Sequence, residues 1–165
     1  LGAGGVSRVM AFEALETAQA PDITIAVREH SLPAAQALCK ELTAVLQKQG
    51  RGGRLSVSLL DAISGDFDLL VNGTPVGMYP HVDASPVSAE VLAHCAAVFD
   101  AVYNPDETLL LRLAKQNGAK AIGGMRMLVG QAAAAQEIWY NASFRDADID
   151  ALCRDAVKEM ERIFQ

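Results

Sequence analysis

The sequence predicts an α/β fold in which a doubly wound parallel sheet is covered by helices on both faces. Short apolar or β-branched runs of strand length alternate with segments whose apolar residues recur at the helical period. The connections between these segments are short and are marked by Gly and Pro. Because such alternation favours parallel strands, and the crossovers between them are right-handed, a doubly wound topology follows.

The first elements follow from the apolar pattern. Ser7–Ala18 has apolar residues near the helical period, and Pro21 ends this predicted helix. The β-branched run 23–27 is typical of a strand. A second helix is predicted from about Pro33 to Lys48, since proline is tolerated in the first turn of a helix.

The alternation continues to the carboxyl end. The stretch 73–80 is too rich in Gly and Pro for regular structure and is predicted to be a loop. A last helix, at about 146–164, carries one apolar stripe, with Asp148 or its neighbours as N-terminal caps. Residues 1–165 are therefore predicted to form one domain. The other predicted elements are strands at 55–60, 68–72, 97–103 and 119–122 and helices at 88–94, 107–117 and 127–140.

The amino-terminal residues have the pattern of a strand end. Leu1 is followed at once by the glycine-rich segment 2–5, which is typical of a strand that enters a turn. We therefore expect the first strand to be truncated in this sequence, with residues upstream of it missing.

Composition and charge narrow the class of protein. With 51% hydrophobic and 21% charged residues, the chain is typical of a packed globular protein. A formal charge of −6 argues against nucleic acid as a partner, because phosphate contacts need clustered Lys and Arg. No run approaches the ~20 apolar residues of a membrane span. Cys39, Cys95 and Cys153 lie far apart in apolar stretches, so we expect buried, reduced thiols and a soluble cytoplasmic protein. The three histidines are isolated, and no metal site is predicted.

The glycine-rich segment has the features of an anion-binding turn. In a βα turn, glycines let the backbone approach a pyrophosphate, and the amides at the helix N-terminus bind its negative charge. Gly2, Gly4 and Gly5 stand before the first predicted helix, and Ser7 occupies the third glycine position of the usual dinucleotide-binding pattern. The fold is accordingly predicted to be of the Rossmann type.

Four segments, taken together, resemble one family. The first is the glycine-rich segment 2–8, and the second, 68–78, is similar to an Asn-Ala-Thr-Pro-x-Gly-Met motif in which Gly73 replaces the usual alanine. The third, 103–111, is similar to Tyr-x-Pro-x-x-Thr-x-Leu-Leu, and the fourth, 124–132, to Gly-x-x-Met-Leu-x-x-Gln-Ala. In this order and spacing they resemble the shikimate dehydrogenase family, from residue 1 to about residue 140.

The resemblance implies an activity and a set of site residues. It implies NADP-linked, reversible reduction of 3-dehydroshikimate to shikimate, a step of aromatic amino acid biosynthesis, with this chain as the cofactor-binding half. Tyr103 and Gln131 would bind the substrate, since a phenol and an amide can hydrogen-bond a small polar ring without adding charge. The residues that the resemblance assigns to the cofactor are Gly2, Ala3, Gly4, Gly5, Val6, Arg28, Thr74, Pro75, Ala101, Gly124 and Met127.

The same residues also have ordinary structural uses. Asn72 and Thr74 are residue types that satisfy local amides in turns. Tyr103 would serve as a half-buried aromatic at a strand end, Gln131 as a solvated residue in the first turn of a helix, and Met127 as core filler. Only the spacing of the family pattern distinguishes the two interpretations.

Cofactor choice rests on the residues after the second strand of the pattern. Where NADP-binding members of the family usually have Asn-Arg-Thr, this chain has Val27-Arg28-Glu29. The Arg28 guanidinium suits a 2′-phosphate, because it is planar and donates several hydrogen bonds. Glu29 would repel that phosphate and suits the free ribose hydroxyls of NAD. The sequence therefore leaves NADP and NAD open, with family resemblance favouring NADP.

The resemblance leaves two alternative functions open and predicts that the proton-transfer residues are absent from this chain. The family places the Lys and Asp of proton transfer in an N-terminal domain, and no segment here resembles that domain, so no catalytic residue is expected in this chain. A quinate/shikimate dehydrogenase that uses NAD is one alternative. A non-catalytic dinucleotide-binding module is the other. The oligomeric state stays open, a homodimer included.

Overall fold

A computed structural model describes residues 1–164 and contains five strands and six helices in that range. The strands are β1 (Asp22–Val27), β2 (Arg54–Leu59), β3 (Phe67–Asn72), β4 (Cys95–Asp100) and β5 (Lys120–Ile122). The helices are α1 (Gly5–Thr17), α2 (Leu32–Lys48), α3 (Ala89–Leu92), α4 (Leu109–Gln116), α5 (Met125–Tyr140) and α6 (Asp146–Phe164). Short 3₁₀ turns follow β1 and β2, at 29–31 and 60–62.

All strand pairings that the structure describes are parallel, and they form two groups. Strand β1 pairs with β2, and β4 lies between β3 and β5. Leu1 and Gly2 connect the groups. The Gly2 amide donates to the Ala26 carbonyl of β1 at 2.9 Å, and the Leu1 amino group donates to the Val71 carbonyl of β3 at 2.5 Å. The predicted parallel α/β fold is confirmed, with these two residues between its halves.

Each group of strands packs its own apolar core against helices. Leu15 of α1 and Leu42 of α2 are fully buried beside Ile25 of β1. Val98 of β4 is fully buried with Leu110 of α4. These positions follow the periodicity that predicted the elements, because the apolar stripe of a helix buries itself against a sheet.

Strand β4 differs most from its prediction, and polar side chains account for the difference. The predicted strand 97–103 is found at 95–100. It ends at Asp100 because the Asp100 carboxylate accepts the Val102 amide at 3.1 Å and turns the chain. Helix α4 likewise begins two residues later than predicted, since the Thr108 hydroxyl caps its N-terminus by accepting the Leu111 amide. Helix α3 is shorter than the predicted 88–94, and α5 begins two residues before the predicted start at 127.

The last helix lies where the sequence predicts it and packs on α5. Asp148 accepts the Arg145 amide at 3.0 Å, in keeping with its predicted role at the helix N-terminus. The Arg126 guanidinium of α5 binds the carboxylates of Asp146 and Asp150 on α6. At its other end, the Phe164 ring lies 5.2 Å from the ring of Tyr79. Helix α6 thus reaches from α5 to the loop that follows β3.

Three further findings concern membrane-spanning helices, metal sites and cysteines. In the described part of the chain, no helix has the combination of length and hydropathy required to cross a bilayer. Within residues 1–164, no group of three or more His, Cys, Asp or Glu side chains is arranged to hold a metal ion. The cysteines are free: Cys95 is buried and Cys39 and Cys153 are half-buried.

Candidate functional site

The glycine-rich turn lies between the ends of β1 and β3 and leads into α1. Gly2 has a φ of 91°, and a Cβ there would approach the Ser7 Oγ and the Thr74 Cγ2 to 2.9 Å each. Packing and backbone conformation therefore both require glycine at Gly2. Gly4 and Gly5 differ, because a Cβ at either position would meet no atom within 4 Å. The open side of the turn is thus free space beside the backbone.

The N-terminus of α1 faces this free space. Gly4 is its N-cap residue, no side chain caps the helix, and its first turn contains no acidic residue. Gly4, Gly5 and Val6 are exposed. Uncapped amides and the positive end of the helix dipole make such a terminus suitable for a negatively charged group.

Ser7 and Gly73 are in close steric contact. Ser7 is buried, and its hydroxyl donates to the Leu1 carbonyl at 3.0 Å. A Cβ at Gly73 would collide with the Ser7 Oγ and would approach the Ser7 backbone nitrogen to 2.9 Å. A side chain at residue 73 is therefore opposed by both the hydroxyl and the backbone of Ser7, and the hydroxyl is the nearer of the two.

A buried polar network joins the loops after β3 and β4. Asn72, Asp100 and Thr108 are fully buried. The Asn72 amide donates to the Asp100 carboxylate at 2.9 Å, and the Thr108 hydroxyl donates to it at 2.6 Å. The Asn72 carbonyl oxygen accepts the Thr74 amide at 3.0 Å and the Thr74 hydroxyl at 2.7 Å. Thr74 is thereby held at a defined distance from the glycine turn.

The charge state of Asp100 reflects two opposing effects. Burial raises the pKa of this carboxyl group, because the charged form loses its hydration. Hydrogen bonds from Thr108, Val102 and Asn72 stabilise the charged form and offset part of that rise. The pKa of Asp100 stays above its ordinary value.

The residues predicted to border the nicotinamide and the substrate come from β4 and α5. Gly124 caps α5 and packs against the backbone of Ala101, where a Cβ would come within 2.7 Å of the Ala101 carbonyl carbon. Met127 is half-buried in the first turn of α5. Gln131 is exposed one turn later, in the second turn of the helix rather than the first. Residues four apart share a helix face, so Met127 and Gln131 are neighbours.

Tyr103 lies on a turn rather than at the end of a strand. It is three residues beyond β4 and is 40% exposed. The Asn104 carbonyl accepts the Tyr79 amide at 2.9 Å, which ties this turn to the loop after β3. The turn therefore holds the Tyr103 backbone while its ring remains accessible.

Arg28 and Glu29 lie at a separate recess. The carboxyl ends of β1 and β2 line an open cavity of about 350 Å³. Val27, Arg28 and Glu29 form one wall, and Asp61 is on the other. Two acidic side chains and one arginine thus face the place where an adenosine ribose is bound in folds of this type.

Sequence reasoning missed Asp100, Thr108 and Asp61. An acidic residue that ends an apolar strand, as Asp100 ends 95–100, is a signal that could have identified one of them, because buried carboxylates need partners. Thr108 was recognised only as part of the Tyr-x-Pro-x-x-Thr motif. Asp61 carries no local signal, since its place beside Glu29 depends on the pairing of β1 with β2.

Comparisons with known proteins bear on these features. No family model matches the sequence. The chain is 42% identical over 139 residues to the NADP(+) shikimate dehydrogenase of Methanocaldococcus jannaschii, an alignment that covers 84% of this chain and 47% of the relative. Over this range the chain is similar to the shikimate dehydrogenases. It spans about half the length of the curated relatives it matches, corresponding to their C-terminal half.

Solved structures agree with this assignment. A shikimate dehydrogenase crystallised with NADP⁺ superposes with a TM-score of 0.66 at 28% identity, covering 94% of this chain and 61% of the other. Quinate dehydrogenase of Corynebacterium glutamicum, in complex with NAD, superposes with a TM-score of 0.74 at 26% identity, covering 95% and 53%. The chain is therefore similar to solved structures crystallised with each cofactor.

The steric coupling of Ser7 and Gly73 can be tested by a double-mutant cycle. Gly73→Ala should lower the free energy of unfolding by about 1–3 kcal/mol, as overpacking does. Combined with Ser7→Ala, which removes the nearest atom, it should cost less than the sum of the single changes by about 0.5 kcal/mol or more. Urea denaturation measures each value.

Gly130→Ala is the matched control for this cycle, because a Cβ at Gly130 meets nothing within 4 Å. Its effect should add to that of Ser7→Ala. If the changes in unfolding free energy add in both cycles, the Ser7 side chain does not oppose a side chain at residue 73.

Proposed function

We propose that this chain is the dinucleotide-binding half of a shikimate dehydrogenase-type oxidoreductase that interconverts 3-dehydroshikimate and shikimate with NADP. The observation that carries the proposal is the uncapped N-terminus of α1 beside Gly4 and Gly5, whose open side is free of protein atoms. Similarity to an NADP(+) shikimate dehydrogenase over 84% of the chain supports the cofactor diphosphate as the ligand of that turn.

The residues present fit the cofactor. Backbone amides of 2–6 would hold the diphosphate, since glycine at Gly4 and Gly5 leaves the space that a Cβ would fill. Arg28 would bind the adenosine end of the cofactor. Thr74 and Pro75 would line the nucleotide site, and the nicotinamide end would lie against Ala101, Gly124 and Met127. When bound, NADP carries the hydride that the reaction transfers.

The chain's own residues would bind and orient the substrate. Tyr103 exposes its ring on a turn held by the Asn104 carbonyl, and Gln131 is exposed on the face of α5 that carries Met127. A phenol and a primary amide can hydrogen-bond the carboxylate or hydroxyls of shikimate without adding a charge. Ala101 and Met127 would exclude water from the nicotinamide face. By family resemblance, the Lys and Asp of proton transfer belong to the other half of the enzyme.

A quinate/shikimate dehydrogenase that uses NAD is the second candidate. Glu29 and Asp61 line the recess that would receive the adenosine ribose, and carboxylates there favour a free 2′-hydroxyl over a 2′-phosphate. A quinate dehydrogenase in complex with NAD is among the structures this chain resembles. NADP is preferred here because curated relatives at 39–44% identity are NADP(+) enzymes and because Arg28 occupies the family's arginine position.

Calorimetric titration of the chain with NADP and, separately, with NAD tests the proposal. Binding of NADP with the lower Kd supports it, and a lower Kd for NAD supports the second candidate. A folded chain that binds neither dinucleotide would contradict the proposed function.

Glu29→Thr should change cofactor preference, because it restores the residue type that the family's NADP-binding members have. The Kd of NADP should fall about three- to tenfold relative to that of NAD, since a carboxylate no longer opposes the 2′-phosphate. Glu90→Thr removes the same charge at an exposed position on α3 and should leave the ratio unchanged. An unaltered ratio in Glu29→Thr would place the 2′-phosphate elsewhere.

Gly4→Val should abolish dinucleotide binding without unfolding the protein. Because a Cβ at Gly4 meets no protein atom, the substitution obstructs only the space beside the turn. The affinity for the preferred dinucleotide, measured by calorimetric titration, should fall at least about tenfold, because the valine side chain keeps the diphosphate away from the backbone.

Gly52→Val is the matched control, since Gly52 also has open space around it and lies before β2, away from the turn. Circular dichroism should show both variants folded. Equal affinity of the two variants would mean that the turn does not hold the diphosphate.

A further inference from the structure

Asp100 is a buried carboxylate for which the shikimate dehydrogenase-type function described above provides no role. It ends β4 and is fully buried. Of the ion pairs found within residues 1–164, none includes Asp100. A buried charge with no cationic partner is costly, so its surroundings must stabilise it by hydrogen bonds.

Three donors reach this carboxylate, and each comes from a different segment. The Asn72 amide, at 2.9 Å, comes from the end of β3. The Val102 amide, at 3.1 Å, comes from the turn that carries Tyr103. The Thr108 hydroxyl, at 2.6 Å, comes from the cap of α4. One side chain therefore joins the end of β3, the turn after β4 and the cap of α4, and it does so beside the backbone bond from the Ala101 amide to the Asn72 carbonyl at 3.0 Å.

The network extends from Asp100 to the predicted nucleotide site. Asn72 uses its amide for Asp100 and its carbonyl oxygen for the amide and hydroxyl of Thr74. The Thr74 hydroxyl in turn accepts the Val76 amide at 3.3 Å. In the described residues, no buried side-chain nitrogen or oxygen lacks a partner. A fully satisfied polar network of this kind specifies one arrangement of the segments it joins.

We propose that Asp100 is a positioning residue that holds the Thr74 loop and the Ala101–Tyr103 turn in one fixed relation. The proposal rests on the proposed function, because that function assigns Thr74 and Ala101 to the cofactor and Tyr103 to the substrate. Asp100 touches neither ligand. It acts through Asn72 on the first segment and through the Val102 amide on the second.

The residue type follows from the donors. An ionised carboxylate only accepts hydrogen bonds, and all three partners donate to it. Asparagine at this position keeps one oxygen for Asn72 and Val102, and its amide can donate to Thr108 if that hydroxyl reverses its role. Alanine leaves three buried donors unpaired, which costs far more than the loss of the bonds themselves.

The test compares Asp100→Ala with Asp100→Asn in the 165-residue chain. NADP titration should show at least about tenfold weaker binding for Asp100→Ala and recovery to within about threefold for Asp100→Asn, because the asparagine rebuilds the network. Amide hydrogen exchange should rise at 73–76 and at 101–103 in Asp100→Ala and should stay near the original rate in Asp100→Asn.

Val98→Ala separates positioning from general loss of stability. Val98 is fully buried on the same strand but packs in the apolar core, so its truncation destabilises the domain without touching the network. Its NADP affinity and its exchange at 73–76 should remain those of the original chain. If Val98→Ala and Asp100→Ala weaken NADP equally at matched stability, the proposal is overturned.

Two further outcomes are decisive. If Asp100→Ala does not fold, Asn72→Ala takes its place. This variant should raise amide hydrogen exchange at 73–76 while leaving the amides of 101–103 protected. An equal rise in both segments would contradict the proposal. If the original chain binds neither NADP nor NAD, the proposed function fails, and the exchange data alone decide the positioning role. Unchanged exchange at both segments in Asp100→Ala would overturn it.

Discussion

The hydrogen bonds of Leu1 and Gly2 are the contacts on which the rest of the structure depends. Leu1 donates to Val71 and accepts the Gly73 amide at 3.1 Å, while Gly2 donates to Ala26. These bonds connect the β1–β2 pair to the three strands β3–β5, so that Leu1 and Gly2 bridge the two parallel groups. They also place the glycine turn between the ends of β1 and β3, where strand ends converge and ligands bind in folds of this type.

Close packing around that turn explains where this chain departs from its family pattern. Gly2, Ser7 and Gly73 share a space in which one additional methyl group has no room. The hydroxyl and the backbone of Ser7 both occupy it, so glycine is the residue that fits at position 73. On the outer side of the turn, Gly4 and Gly5 have open space, although packing would accept larger residues there. Glycine on the inner side is thus required by the protein, whereas on the outer side it preserves room for a ligand.

Buried polar groups, rather than apolar contacts, set the positions of the loops. The helices are held by apolar cores, which allow small adjustments of the surrounding surface. The loops after β3 and β4 are joined through the buried side chains of Asn72, Asp100 and Thr108. Directional hydrogen bonds at this point couple the segment that carries Thr74 to the one that carries Tyr103. The recess at the ends of β1 and β2 differs, because its charged residues Arg28, Glu29 and Asp61 are exposed to solvent.

Sequence patterns alone predicted the alternation of strands and helices, the parallel topology and the similarity to shikimate dehydrogenases. These are properties of local periodicity and of motifs, which short stretches of chain contain completely. Most predicted boundaries lie within two residues of the observed ones, as for α2 and β1. The largest miss, the end of β4, has a local cause that periodicity does not record, since the Asp100 carboxylate accepts the amide of Val102, two residues further along the chain.

Only the tertiary structure decided which residues act together. That Ser7 excludes an alanine at 73 depends on the contact between α1 and the end of β3. That Asp61 joins Glu29 depends on the register of β1 with β2, and that Asp100 connects three segments depends on partners 28 and 8 residues away along the chain. A one-dimensional pattern records residue type and spacing. It does not record distances between segments, and both the steric exclusion at the turn and the hydrogen bonding of the buried Asp100 carboxylate are set by distance.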